Sequence, residues 1–205
     1  MGTDDLFKKA KQQKETRKKI IRNMLDNILI LCEGEKTEPN YFNSIKCLYK
    51  LSNVEIKGLG SNTDKITELA IKHRKDYSQI WCVFDRDSFK AHNFNRAFQM
   101  IKRYKNIFIA YSNEAFELWY LLHFNYYDTG ISRQEYCKLL NKLLGIKYTK
   151  NSTEIYGLIH DKENTAISNA KRLMDSYSCE NPEANNPSTT VYKLVEELNK
   201  YKNEF

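Results

Sequence analysis

The chain has 205 residues, 41% of them hydrophobic and 13% aromatic, with 33 Lys or Arg against 26 Asp or Glu and a formal charge of +7. That apolar content excludes a disordered chain, and only seven Gly and three Pro exclude a collagen-like or linker-dominated one. No apolar run approaches the roughly 18 residues that a membrane-spanning helix needs, so no membrane association is expected.

In chain order, residues 1–26 are expected to form a basic arm. Lys8, Lys9, Lys11, Lys14, Arg17, Lys18, Lys19 and Arg22 face one acid, Glu15, within fifteen positions. An isolated helix of this composition is marginal in water. The segment is either a solvated leader or an arm that contacts nucleic-acid phosphates. Charge where a secretory leader would be apolar points to a cytoplasmic protein.

Residues 27–128 then alternate between strand and helix patterns. Asn27-Ile28-Leu29-Ile30-Leu31-Cys32 is a short, nearly continuous apolar run and predicts a buried strand ended by Glu33-Gly34. A helix follows from Thr37, with Pro39 in its first turn, where a missing N–H costs nothing. Residues 54–57 predict a weak strand and residues 63–75 a helix. Residues 80–84 predict a third strand that ends in Asp85-Arg86-Asp87, residues 93–104 a helix, and residues 107–111 a fourth strand. Connections long enough for crossover helices predict a small, mostly parallel sheet in a three-layer α/β fold.

Beyond Tyr111 the pattern is helical. Residues 113–124 are rich in aromatic and apolar side chains, and Ser132 with Glu135 forms a capping box that opens a helix through Leu144. Further helices are expected at residues 153–159 and 165–177, with a last one introduced by Pro187. Residues 129–205 thus read as a helical C-terminal extension packed on the core. The last helix and the aromatic segment offer a surface for a homo-oligomer or another partner.

Cys32, Cys47, Cys82, Cys137 and Cys179 include no CxxC pair, and their number is odd. They predict reduced, mostly buried thiols. Four scattered His argue against a zinc site.

The chemistry is expected at the carboxyl ends of the strands, where open parallel sheets bind ligands. Glu33 follows the first strand; Asp85 and Asp87 follow the third and share one side if that strand continues. If the two strands are neighbours, three carboxylates converge. Their repulsion is relieved by Mg²⁺ or Mn²⁺, which prefer oxygen ligands and often share them with substrate phosphates. Solvated or helix-capping acids are the plainer alternative. Glu117, on an apolar helix, either supports this site or lies on a polar helix face. Lys36 is a phosphate contact or a surface lysine, and His123 a proton donor or a structural histidine. The chain has no GxxxxGK[ST], GxGxxG or GxSxG motif, which excludes a P-loop ATPase, a dinucleotide enzyme of the usual fingerprint and an α/β-hydrolase elbow.

Taken in order, Cys32-Glu33-Gly34-Glu35-Lys36-Thr37-Glu38-Pro39-Asn40-Tyr41-Phe42, then Asp85-Arg86-Asp87, Ser112-Asn113, Phe116-Glu117-Leu118-Trp119, His123-Phe124 and Asn186-Pro187-Ser188-Thr189 resemble the RloB-like family. The resemblance spans about residues 17–198. It implies a Toprim-like core and a metal-dependent nuclease of anti-phage abortive-infection systems, working with an ABC-like ATPase subunit on DNA or RNA. It also implies that Glu33 transfers protons while Asp85 and Asp87 hold Mg²⁺. One position departs from the family: Glu114 stands where Pro is expected. A non-catalytic nucleic-acid-binding or adaptor subunit is the alternative from another class, and primase-type nucleotidyl transfer uses the same metal chemistry.

Overall fold

The computed structural model describes residue 11 and residues 27–86, 91–179 and 181–202. The predicted basic arm, Lys11 apart, and Asp87 therefore lie outside the described residues.

Five apolar residues in a row make β1, Ile28–Cys32, and every one of them is buried. A strand buried on both faces must be central, and β1 pairs in parallel with β2, Val54–Gly58, on one side and with β3, Gln79–Asp85, on the other. β4, Ile107–Asn113, continues the parallel sheet beside β3, and β5, Ser188–Thr189, closes it antiparallel. The order is β2-β1-β3-β4-β5.

The period-two alternation of the strands divides the interior into two layers. Leu29, Leu31, Ile80, Cys82 and Phe84 face α2, Thr63–His73, and α3, Ala91–Ile101. Ile28, Ile30, Cys32, Trp81 and Val83 face the other way. That second face is covered by α1, Thr37–Leu48, and by the C-terminal helices: α4, Glu117–Leu122; α5, Arg133–Leu144; α6, Ile155–Ile159; α7, Glu163–Asp175; and α8, Val191–Asn199. Helices on both faces of a mostly parallel sheet make the three-layer α/β fold that the sequence predicts, with a helical C-terminus.

Local chemistry explains several boundaries. Asn62 caps α2 by accepting the Lys65 N–H at 3.1 Å. The Ser132–Glu135 capping box is formed, and Gly145, at φ 68°, ends α5 in the left-handed region. Two expectations need correction. The predicted helix over residues 113–124 begins only at Glu117, because β4 runs on to Asn113. The last helix begins at Val191 rather than at Pro187, because Ser188 and Thr189 first form β5. The amide of Asn113 explains both. It donates to the carbonyls of Pro182, Glu183 and Asn185 at 3.0–3.3 Å and so holds the preceding loop against the end of β4. The Asn186–Pro187 peptide is cis.

All five cysteines are free thiols. Cys32 and Cys82 are buried in the sheet, but Cys137 is half-buried and Cys47 and Cys179 are exposed, so the expectation of mostly buried thiols holds only for the strand pair. Among the described residues no helix is long and apolar enough to cross a membrane.

Candidate active site

The winding of the sheet determines where a crevice opens. From β1 the chain crosses through α1 to β2 at one edge; it then returns past β1 to β3 and moves on to β4. Connections therefore leave β1 and β3 in opposite directions and over opposite faces. The carboxyl ends of these neighbouring strands form the topological switch point, where such sheets bind ligands.

Glu33 is the first residue after β1, and Asp85 is the last of β3. The sheet brings them together: the Asp85 N–H donates to Glu33 Oε2 at 3.3 Å, and the Thr63 hydroxyl donates to Glu33 Oε1 at 3.1 Å. Asp85 Oδ2 accepts from Arg133 Nη2 at 2.8 Å, with the Asp85 side chain only 12% exposed. β3 ends at Asp85, so the expected continuing strand stops there, and Asp87 lies outside the described residues. Among the described residues no three His, Cys, Asp or Glu side chains converge closely enough to hold a metal.

Above this pair is a pocket of about 270 Å³, with Glu33 and Asp85 on one wall and Glu38, Glu117, Arg133 and Lys150 on others. Glu117 is 1% exposed. It accepts from the Tyr148 hydroxyl at 3.1 Å, with Lys150 Nζ at 3.8 Å. Burial, and then the charge of Glu117, hold the Tyr148 phenol well above its ordinary range, so it remains a donor. Glu38 is 5% exposed. Burial raises its pKa above the usual carboxylate value; Glu117 adds to the rise, while a bond to its own backbone and the charges of Arg133 and Lys150 oppose it. Gly34 lies against it: a Cβ at that position would fall on the Glu38 carboxylate, which would have to shift.

The C-terminal extension supplies Arg133, Lys150 and Asn151 to this pocket. Arg133 is the first residue of α5, and the reversal at Gly145 returns the chain so that Tyr148 and Lys150 reach Glu117. Two side chains of the α1 first turn secure that return: Thr37 Oγ1 donates to the Lys150 carbonyl at 3.2 Å, and Asn40 Nδ2 to the Asn151 carbonyl at 3.3 Å. Lys36, at the N-cap of α1, also lines the pocket.

Two other residues singled out in the sequence lie elsewhere. His123 is 1% exposed, and its Nδ1 is 2.9 Å from the Trp119 carbonyl. A carbonyl can only accept, so Nδ1 carries the proton. Burial lowers the pKa of the ring to about 4, which makes it a neutral structural histidine and not a proton donor to the pocket. Glu114 does not line the pocket, and the Asn113–Glu114 peptide is cis.

The sequence reading did not assign Glu38, Arg133, Tyr148 or Lys150 to the site. Glu38 had one available signal, an acid in the first turn of a helix that opens at a strand end. The other three are brought in by the fold of the extension, and no local pattern marks them.

A mostly parallel α/β sheet with two acids at its switch point and a helical extension that brings Arg133 and Lys150 to their pocket defines the class of the molecule. Within that class the chain belongs to the RloB-like protein family, which matches residues 28–198. No curated protein and no solved structure is matched by the chain.

Proposed function

We propose that the chain is a metal-dependent nuclease that cleaves nucleic-acid phosphodiesters, serving anti-phage abortive infection beside an ABC-like ATPase subunit. The observation that carries this reading is the contact between Glu33 and Asp85 at the β1/β3 switch point, facing the pocket. The donors suit a hard divalent cation: among the described residues the lining offers carboxylate oxygens and no thiol or imidazole. Asp85 already draws a cation, the Arg133 guanidinium, to 2.8 Å.

Glu33 and Asp85 would hold Mg²⁺ or Mn²⁺, together with Asp87. Such an ion lowers the pKa of a bound water and offsets charge on the phosphoryl group. Glu33, oriented by Thr63 and by the Asp85 N–H, presents a carboxylate oxygen to accept a proton. Glu117 is fixed by Tyr148 and Lys150 and keeps a negative wall opposite. Lys36 and Lys150 are placed to take backbone phosphates, an interaction that weakens steeply with salt.

The adaptor reading is favoured by one observation: the chain itself supplies Asp85 with a positive partner, Arg133 at 2.8 Å. Cleavage of labelled duplex DNA, single-stranded DNA and tRNA, with and without the ATPase subunit, separates the two. Mn²⁺- or Mg²⁺-dependent products that vanish with EDTA and in Asp85→Asn are expected. Cleavage that survives both treatments removes the metal mechanism. Salt-sensitive binding without cleavage under any condition selects the adaptor.

A further inference from the structure

We propose that Arg133 is the resident counter-cation of the acid pocket and that a divalent ion displaces it from Asp85, so that metal occupancy unlatches the start of α5 from the end of β3. This rests on the metal-binding function proposed for Asp85.

The Asp85 side chain is 12% exposed, and a carboxylate so placed is costly to leave without a positive neighbour. Arg133 supplies that charge with Nη2 2.8 Å from Oδ2. The arginine backbone is fixed, because the capping box holds the helix start: Ser132 N–H donates to Glu135 Oε2 at 2.9 Å, and Glu135 N–H to Ser132 Oγ at 3.4 Å. Its long side chain therefore reaches Asp85 from a rigid base in the extension.

A hard divalent ion binds a carboxylate oxygen at about 2.0–2.6 Å. An ion at that distance from Oδ2 would sit against the guanidinium that now bonds the same atom, and two cations so close repel strongly inside a protein. Metal and Arg133 thus compete for one oxygen. The Glu33 contact does not compete, since it engages the main-chain N–H of Asp85 and survives the exchange. Lys150 is not a second latch on Asp85, because its ammonium lies toward Glu117 at 3.8 Å. The metal must therefore overcome the Arg133 pair, and removing the guanidinium tightens metal binding.

The test is calorimetric titration of the full chain with Mn²⁺, alongside melting curves in EDTA and in saturating Mn²⁺. Arg133→Gln is expected to bind Mn²⁺ about fivefold more tightly than the unsubstituted chain, the scale of one partly exposed ion pair. It is also expected to melt lower in EDTA, with the deficit closing in Mn²⁺. A guanidinium that only braces the helix would give the same deficit in both solutions and an unchanged affinity, and either result overturns the exchange. Arg133→Met removes the charge while keeping much of the apolar stem, so it should bind Mn²⁺ about as tightly as Arg133→Gln. It answers the same question if the Gln variant does not fold, and an affinity equal to that of the unsubstituted chain overturns the exchange. Asp85→Asn isolates the underlying assignment. If that variant binds Mn²⁺ as well as the unsubstituted chain, Asp85 is not a ligand and the metal reading falls by itself. If no variant and not the parent chain binds Mn²⁺, both proposals fall together.

Discussion

The two faces of the sheet are built from the same strands but buried under different rules. Beneath α2 and α3 the interior is Leu29, Leu31, Ile80, Cys82, Phe84 and the apolar face of the two helices, with Thr63 and Thr67 as its polar members. Beneath α1 and the C-terminal helices the same kind of apolar layer also encloses Glu38, Glu117, His123 and Glu163, each 5% exposed or less. Burying ionisable groups is costly unless each finds a partner or gives up its charge, and the face does both. Glu117 has Tyr148 and Lys150, and Glu163 has Lys202 at 2.9 Å, whereas His123 is held neutral. One face stabilises the sheet; the other gives up part of that stability to hold charge at the switch point.

The largest effect that sharpens this contrast is expected on the apolar face. Phe84 is fully buried and packs edge-on against Phe94 and Phe98 with ring centroids 5.6 and 6.3 Å away. Phe84→Ala should cost about 3–5 kcal/mol in urea unfolding, the range for an aromatic core deletion. Because no ionisable partner is removed, the loss should be the same at pH 5 and pH 8. A loss that varies strongly with pH would break the comparison.

The opposite face should supply the pH dependence. His123 has a folded-state pKa of about 4 against an ordinary 6.5. The unfolded chain therefore takes up a proton first as pH falls, and the native state loses stability between pH 6.5 and about 4. The full loss is ~3 kcal/mol by linkage. Equilibrium unfolding across that window measures it, and NMR should show the His123 ring still neutral at pH 5. A ring that titrates near 6.5 would place it in contact with solvent or a carboxylate, contrary to its burial.

The elements of the fold were legible because each central strand carries its own signal. The apolar runs at 28–32 and 80–84 are strands buried on both sides, and the box Ser132–Glu135 states a helix start in four residues. β5 was not legible, since two residues have no period and its place depends on Asn113, some seventy-five positions earlier in the chain. The site divides in the same way. Glu33 and Asp85 stand at strand ends and could be placed from the winding rule. Arg133 arrives at the start of α5, and Tyr148 and Lys150 through the turn at Gly145 and the contacts of Thr37 and Asn40, which are long-range and leave no trace in local composition. The apolar run from Phe116 to Leu122 makes residues 113–124 read as one helix, but Asn113 pairs with β5 across the sheet and only Glu117–Leu122 is helical.

Glu38 tests the contrast most finely, since its environment pushes in both directions. Burial leads the rise in its pKa and Glu117 adds to it, but a bond to its own backbone and the charges of Arg133 and Lys150 pull the other way. The sign is set by the raised folded-state value. The native state holds the proton more tightly than the unfolded chain, so this contribution is complete below the ordinary value of 4.5 and is lost as pH rises through the elevated one. Glu38→Gln imitates the protonated acid in shape and in charge, and keeps the same atoms over Gly34. Its melting temperature relative to the parent chain should therefore climb with pH above 4.5 and then level off. Adding Glu117→Gln removes the second-ranked cause of the rise and should flatten that climb. If the difference between Glu38→Gln and the parent is constant with pH, the backbone bond and the two cations together fully offset burial and Glu38 is an ordinary ionised carboxylate. The pocket would then hold one more negative charge than its burial suggests, and a cation in its place would matter correspondingly more.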